Sequence, residues 1–259
     1  MRFGDLKDGY CVLEIRRLLV KCQLLSPFTS DDNGLRTLLC VLSANSFANR
    51  YELPDPWLLD LEPSVQVLSK MKKAALDEEP WDDEWIPTDR EWNSCIGIAG
   101  TCTGRAAFLT EDGRLGLAPK SAKPGDIVTV LLGCNTAMIL RPCEGNEFQV
   151  VGEAFCHGFM DGEALLGRLP DGIERVREEV WTNELRWTCI DRSTGICNPE
   201  DPRLGKLPDG WKIVEHDYDR YQSHYGNDEL GITATIDDPR LTPEALMERG
   251  VDLRKFVLI

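Results

Sequence analysis

Residues 123–167 read KPGDIVTVLLGCNTAMILRPCEGNEFQVVGEAFCHGFMDGEALLG, and their punctuation decides the fold class. Each apolar run is short and is bounded by residues that favour turns. Pro124-Gly125 introduces Asp126–Leu132, Asn135 turns into Ala137–Arg141, and Glu144-Gly145-Asn146 leads into Phe148–Phe155. Just upstream, Arg105–Thr110, Glu111-Asp112-Gly113 and Arg114–Ala118 read as a hairpin, with Asp-Gly supplying the positive-φ turn. Short strands at this spacing predict a small antiparallel β-barrel or meander. Asp161 then reads as the cap of a short helix over Gly162–Leu169.

Working towards the N-terminus, the pattern becomes helical. Cys11–Leu25 places Val12, Ile15, Leu18, Leu19 and Leu25 on one stripe until Pro27 stops it. A second helix is expected after Ser30-Asp31-Asp32, turning Leu35, Leu38, Leu39 and Leu42 inward. A third is expected between Pro63 and Pro80, with Val65, Leu68, Met71 and Ala75 as its apolar face. Asp77–Glu91 carries eight acidic residues and one basic one around Trp81 and Trp85. It reads either as a solvated connector or as a docking peptide for a basic partner. Gly97–Gly104 is glycine-rich but lacks the Lys-Ser/Thr of a phosphate loop, so a loop feeding the first hairpin is expected there.

The tail contains an internal repeat. Asp201-Pro202-Arg203-Leu204 recurs as Asp238-Pro239-Arg240-Leu241, each after a candidate strand meander. Thr242, Pro243, Glu244 and Gly250 then mark out a capped helix, and Phe256–Ile259 reads as a last strand. The fold class is therefore α+β. It comprises a helical segment with an acidic linker over 1–95, a central β-module over 96–170, and a β/α repeat tail over 171–259. The starting Met and the capped final helix lead us to expect a complete chain.

Composition narrows the partners. The net charge of −15, from 29 basic and 44 acidic residues, argues against nucleic acid, whose phosphates need clustered Lys and Arg. Arg16-Arg17 and Lys72-Lys73 are too short to make such a cluster. No stretch approaches the roughly 18 apolar residues of a membrane span, and Glu14, Arg16 and Arg17 interrupt the N-terminal apolar positions. A cytoplasmic protein is expected, binding a protein partner or a small molecule. In a reducing compartment the ten cysteines are expected as mostly small buried hydrophobes, without disulfides. None makes a CxxC pair, so neither a metal site nor a cofactor is expected.

The densest set of reactive side chains is Glu153, Cys156, His157, Asp161 and Glu163. Cys156 with His157 would be thiolate chemistry, but neighbours on a strand face opposite ways unless the strand breaks at Gly158. His157 with Asp161 or Glu163 would be a general acid–base pair. Against both stands the plain reading, in which Asp161 caps a helix and Glu163 sits in its first turn. Arg141 lies in an apolar strand and needs a carboxylate if buried, which Asp126 or Glu153 could supply. That set is either a structural ion pair or an anion-binding site. His216 and His224 sit among Asp217, Tyr218, Asp219 and Tyr221, where a solvated loop or meander surface is expected. No GxGxxG in strand–helix context, P-loop, GxSxG or HExxH motif is present.

Five short motifs, in order, carry a resemblance. They are Arg114-Leu-Gly-Leu-Ala-Pro119, Pro124-Gly-Asp-Ile-Val128, Ile139-Leu-Arg-Pro142, Val151-Gly-Glu-Ala-Phe155 and His157-Gly-Phe-Met-Asp-Gly-Glu163. Together with Leu35-Arg-Thr-Leu-Leu39 they resemble the region C-terminal to the HET domain of fungal heterokaryon-incompatibility proteins, over roughly Leu35 to Gly167. That domain is a TIR-related α/β domain held to drive cell death, and this chain is expected to lack it. The resemblance implies an accessory or self/non-self recognition protein. The alternative is an enzyme of fungal specialised metabolism, performing a transfer, cyclisation or lyase step with His157, Glu163 and Arg141. In the tail, Leu207-Pro-Asp-Gly-Trp211, Tyr221-Gln-Ser-His224 and Ile236-Asp-Asp-Pro-Arg240 are similar to a WW domain, with an earlier copy ending at Pro199-Glu-Asp-Pro-Arg203. Pro199 and Ile236 stand where a WW domain carries its second Trp, which implies scaffolding rather than a polyproline groove.

Overall fold

A computed structural model describes residues 32–45, 61–75, 88–134, 136–180, 184–214 and 223–259. The expected helix over Cys11–Leu25 and most of the acidic connector lie outside the described residues. The chain divides into two units, Met1–Met160 with Val257–Ile259, and Asp161–Phe256.

In the first unit, helices α1 (Asp32–Leu42), α2 (Leu61–Ala75) and α3 (Asp89–Cys102) supply most of the core. Leucines at i, i+3, i+4 and i+7 bury Leu35, Leu38, Leu39 and Leu42 on one face of α1. Val67 and Leu68 of α2 and Cys95, Ile98 and Cys102 of α3 join them. The hydroxyls of Ser64 and Ser94, both buried, satisfy each other at 2.8 Å between α2 and α3.

Helix α3 corrects the expected loop. Its first turn is closed by a capping box: the Thr88 hydroxyl accepts from the Glu91 N–H, and the Glu91 carboxylate accepts from the Thr88 N–H. Gly97 and Gly100 therefore lie inside a helix whose buried face is Cys95, Ile98 and Cys102. The chain leaves the helix only at Thr103.

These helices pack against Leu115, Leu117 and Phe155 of a sheet. Strands β1 (Arg105–Leu109), β2 (Leu115–Pro119), β3 (Ile127–Val130), β4 (Ala137–Pro142) and β5 (Glu147–Cys156) follow one another, all antiparallel, in the order β1-β2-β5-β4-β3. Within the antiparallel order the long β5 is shared between two strands. Phe148–Ala154 pair with β4, while Phe155 and Cys156 pair with β2. Val151 is an extra residue opposite Ile139 and Leu140, and Gly152 bends the strand at φ +147°. The curl does not complete a barrel, since β1 and β3 end the sheet among the described residues.

The second unit opens with α4 (Glu163–Leu166) and contains two three-stranded antiparallel meanders. One holds β6 (Ile173–Val180), β7 (Glu184–Asp191) and β8 (Cys197–Asn198). The other holds β9 (Trp211–Val214), β10 (His224–Asn227) and β11 (Ile232–Thr235). The repeat is longer than its last four residues. Leu169-Pro-Asp-Gly172 opens the first copy as Leu207-Pro-Asp-Gly210 opens the second. The turns match as well: Ile173 N–H donates to Pro170 O at 3.0 Å, and Trp211 N–H to Pro208 O at 3.1 Å. The second copy continues into a 3-10 turn and then α5 (Pro243–Glu248), where the Thr242 hydroxyl accepts from Ala245 N–H. Finally β12 (Val257–Leu258) lies parallel to the start of β5, within the first unit.

Candidate functional site

Asp126 and Arg141 meet through the β3–β4 pairing. Arg141 Nε donates to Asp126 Oδ1 and its Nη2 to Oδ2, both at 2.8 Å. Nη2 also donates to Ser121 O, and Asp126 Oδ2 accepts the Lys123 N–H. The pair thus ties the turn at 121–126 to strand β4. With Nε and Nη2 so engaged, an anion-binding role would rest on Nη1. The Arg141 guanidinium beside Asp126 holds the carboxyl below the usual carboxylate range, and that carboxylate raises Arg141 in turn. Glu153 lies exposed on β5, opposite Met138, apart from this pair.

Only 6% of the Asp126 side chain is exposed. The Arg141→Ala variant is therefore expected to lose about 1–3 kcal/mol, the cost of leaving a largely buried acceptor short of partners. Urea unfolding at neutral pH measures the loss. Because the folded Asp126 carboxyl lies below its unfolded value, the pair's contribution is present above that value. It fades as pH falls through the folded one, so the difference between variant and wild type shrinks in acid.

Cys156 is buried while His157 is exposed. The strand is not broken between them, because His157 N–H continues the ladder to Leu115 O at 2.9 Å. Cys156 and His157 lie in the first unit, Asp161 and Glu163 in the second. Asp161 does not cap α4. The N-cap is Gly162, in the left-handed region at φ +82°, and no side chain bonds to the helix end. Instead the Glu163 carboxylate reaches back to accept the Asp161 N–H at 2.7 Å. His224 is another correction: it is buried on the middle strand β10 rather than solvated, and His216 lies outside the described residues. Of the eight described cysteines four are buried, whereas Cys134 and Cys143 are exposed.

The most constrained charges belong to the repeated Asp-Pro-Arg-Leu, whose role was not legible from the sequence. In both copies the aspartate Oδ1 accepts the N–H and the Nε of the arginine two residues on, and Oδ2 accepts Nη2. Both guanidiniums also reach distant groups. Arg203 donates to Asp161 O and Gly167 O, clasping the turn around α4. Arg240 donates to Gly205 O and Glu200, and so holds the end of the first copy to the second. The signal was available as an Asp-x-Arg spacing with a proline that fixes φ between the two. Arg249 adds bonds to Arg203 O and Leu204 O. Beside it, Glu163–Gly167 and Arg249–Asp252 border an open groove of about 590 Å³.

Among the described residues no helix is long and apolar enough to cross a membrane. Residues 60–168, from α2 through α4, match the family described as the Het-6 beta-barrel domain. Over 75 residues the chain is 43% identical to "Heterokaryon incompatibility protein 6, OR allele" of Neurospora crassa. That stretch is 28% of this chain and 10% of the relative. No solved structure matches the chain.

Proposed function

Because the chain is related to the fungal heterokaryon-incompatibility proteins through its central region, we propose that it is an accessory or self/non-self recognition protein of that system. The observation that carries this reading is the Het-6 beta-barrel likeness over residues 60–168. The bidentate bonding of Arg141 to Asp126 supports it, since Arg141 serves to hold a turn. The ligand in this reading is a protein, met in the cytoplasm, and a net charge of −15 disfavours nucleic acid.

The test is a pairing experiment. The coding sequence is deleted from its fungal source, and the deletion strain is confronted with its parent and with strains of differing incompatibility type. At least one confrontation is expected to change between compatible and incompatible. Identical outcomes for deletion strain and parent in every pairing would sink the proposal.

A further inference from the structure

The two tandem copies differ where their frames coincide. Ile173 pairs with Asp191 as Trp211 pairs with Asn227. Two residues earlier on the middle strand, Cys189 stands in the first copy where Tyr225 stands in the second. An isoleucine and a cysteine therefore replace an indole and a phenol. In the second copy the proline of its Asp-Pro-Arg, Pro239, is buried, and the Tyr225 hydroxyl donates to Asp238 at 2.9 Å. In the first copy Pro202 is exposed. There a cavity of about 240 Å³ opens, bordered by Ile173, Cys189, Asp191, Ile196, Asn198 and Pro202.

The frame around this space is held without the rings. Arg203 keeps its bidentate grip on Asp201, and the Thr188 hydroxyl donates to Asn198 O at 2.8 Å. Burial pushes the Cys189 thiol up, so a neutral thiol forms part of an apolar wall. Ile196, 66% exposed, stands at the mouth.

We propose that this cavity is a binding site for one flat aromatic group of the indole or phenol class. The sister copy supplies the argument for shape, because two aromatic rings occupy the equivalent positions there. Size agrees. An apolar cavity of roughly 150 Å³ accommodates benzene, whereas sites for drug-sized ligands begin at roughly 300 Å³. The space matches one ring system. Asp191, half-buried at the rim, already accepts the Ser193 N–H and hydroxyl through Oδ1, so its carboxylate marks the polar side of the site, towards which a ring N–H or O–H would be turned. The site stands on the repeat geometry alone and does not depend on a part in incompatibility.

Titrating the full chain with free indole and with 4-methylphenol tests it, read by methyl NMR of Ile173 and Ile196. Saturable shifts of both methyls are expected, at one ligand per chain. Ile173→Trp rebuilds the second copy's indole in the first and is expected to weaken indole binding at least tenfold. Cys189→Tyr fills the space independently and is expected to do the same; it decides the matter should Ile173→Trp fail to fold. Absence of saturable shifts in the wild type overturns the proposal. So does undiminished binding, followed at the Ile196 methyl, in either folded variant.

Discussion

Replacing Arg240 with alanine is expected to lower the stability of the Asp161–Phe256 unit by about 3–5 kcal/mol, the usual cost of removing one partner from a buried ion pair. The side chains of Arg240 and Asp238 are only 3% and 8% exposed. Nε and Nη2 bind the two carboxylate oxygens at 2.9 and 2.7 Å, and Nη1 donates to Gly205 O at 2.9 Å. Nη2 also meets Glu200 at 3.0 Å and the Tyr225 hydroxyl at 3.3 Å. Truncation leaves Asp238 with the Tyr225 hydroxyl and a backbone N–H, and leaves Gly205 O without its guanidinium. Arg240→Lys is expected to recover little, because one ammonium cannot reproduce a planar fork aimed at three directions. Replacing both partners with apolar residues, Asp238→Leu with Arg240→Met, is expected to be milder than Arg240→Ala, since no charge is then stranded. Urea unfolding followed by circular dichroism measures all three.

Acid distinguishes this account from simple loss of packing. Burial pushes the Asp238 carboxyl up. Hydrogen bonds from the Arg240 side chain, the Arg240 N–H and the Tyr225 hydroxyl more than offset burial, and the carboxyl lies below its ordinary value. A depressed folded value means that the stabilisation is present above the unfolded pKa of about 3.9 and is lost as pH falls through the folded value. Asp201 carries the same sign for the same reasons, with Arg203 as its partner. In Arg240→Ala the largest lowering contribution, the guanidinium, is gone, and the Asp238 carboxyl is expected to rise. Lowering pH from neutral then relieves the variant while it weakens the wild type, so the gap between their unfolding free energies narrows. A gap constant from pH 7 to pH 3 would refute the ion-pair account.

The sheet was legible in the sequence because its turns demand particular residues. Gly113, Gly125 and Gly145 each adopt positive φ at a turn read from Asp-Gly, Pro-Gly or Gly-Asn. Arg141 was legible because an arginine in an apolar strand needs a carboxylate, and Asp126 stands immediately before the adjoining strand. Helix α3 was not, since the glycines of 97–104 outweighed the Thr88-x-x-Glu91 box and the apolar spacing of Cys95, Ile98 and Cys102. Asp161 misled in the opposite direction. A good capping residue stands one position too early, and Gly162 takes the cap in a conformation that glycine alone adopts freely. The repeated Asp-Pro-Arg-Leu was visible as a motif and silent as to role, because what its arginines hold lies up to 42 residues away. The cavity beside Cys189 was beyond reach for a related reason: an isoleucine and a cysteine leave a void only once strand register shows which rings they replace.

Gly116→Ala is the second large effect expected, and it comes from crowding without backbone strain. A Cβ at Gly116 would lie 2.2 Å from Phe108 Cζ, 2.4 Å from Phe108 Cε1 and 2.7 Å from Phe155 O. The ring can turn aside at the expense of its own packing. The carbonyl cannot, because it belongs to β5, which pairs with β2 at this position. Leu115, Leu117 and Phe155 on the same two strands carry the helical core, so any widening of the pair loosens that core too. Overpacking of this kind costs about 1–3 kcal/mol and sometimes more, and the upper end is expected here. Gly100→Ala is the matched control. Nothing lies within 4 Å of its Cβ, and it sits inside α3, where alanine is favoured over glycine by about 0.5–1 kcal/mol. Thermal unfolding should therefore move in opposite directions for the two substitutions. Adding Phe108→Leu to Gly116→Ala separates the two clashes. Recovery is expected to be partial, because the Phe155 carbonyl remains. Full recovery would assign the whole penalty to the ring and show that the two strands can part to admit a methyl group.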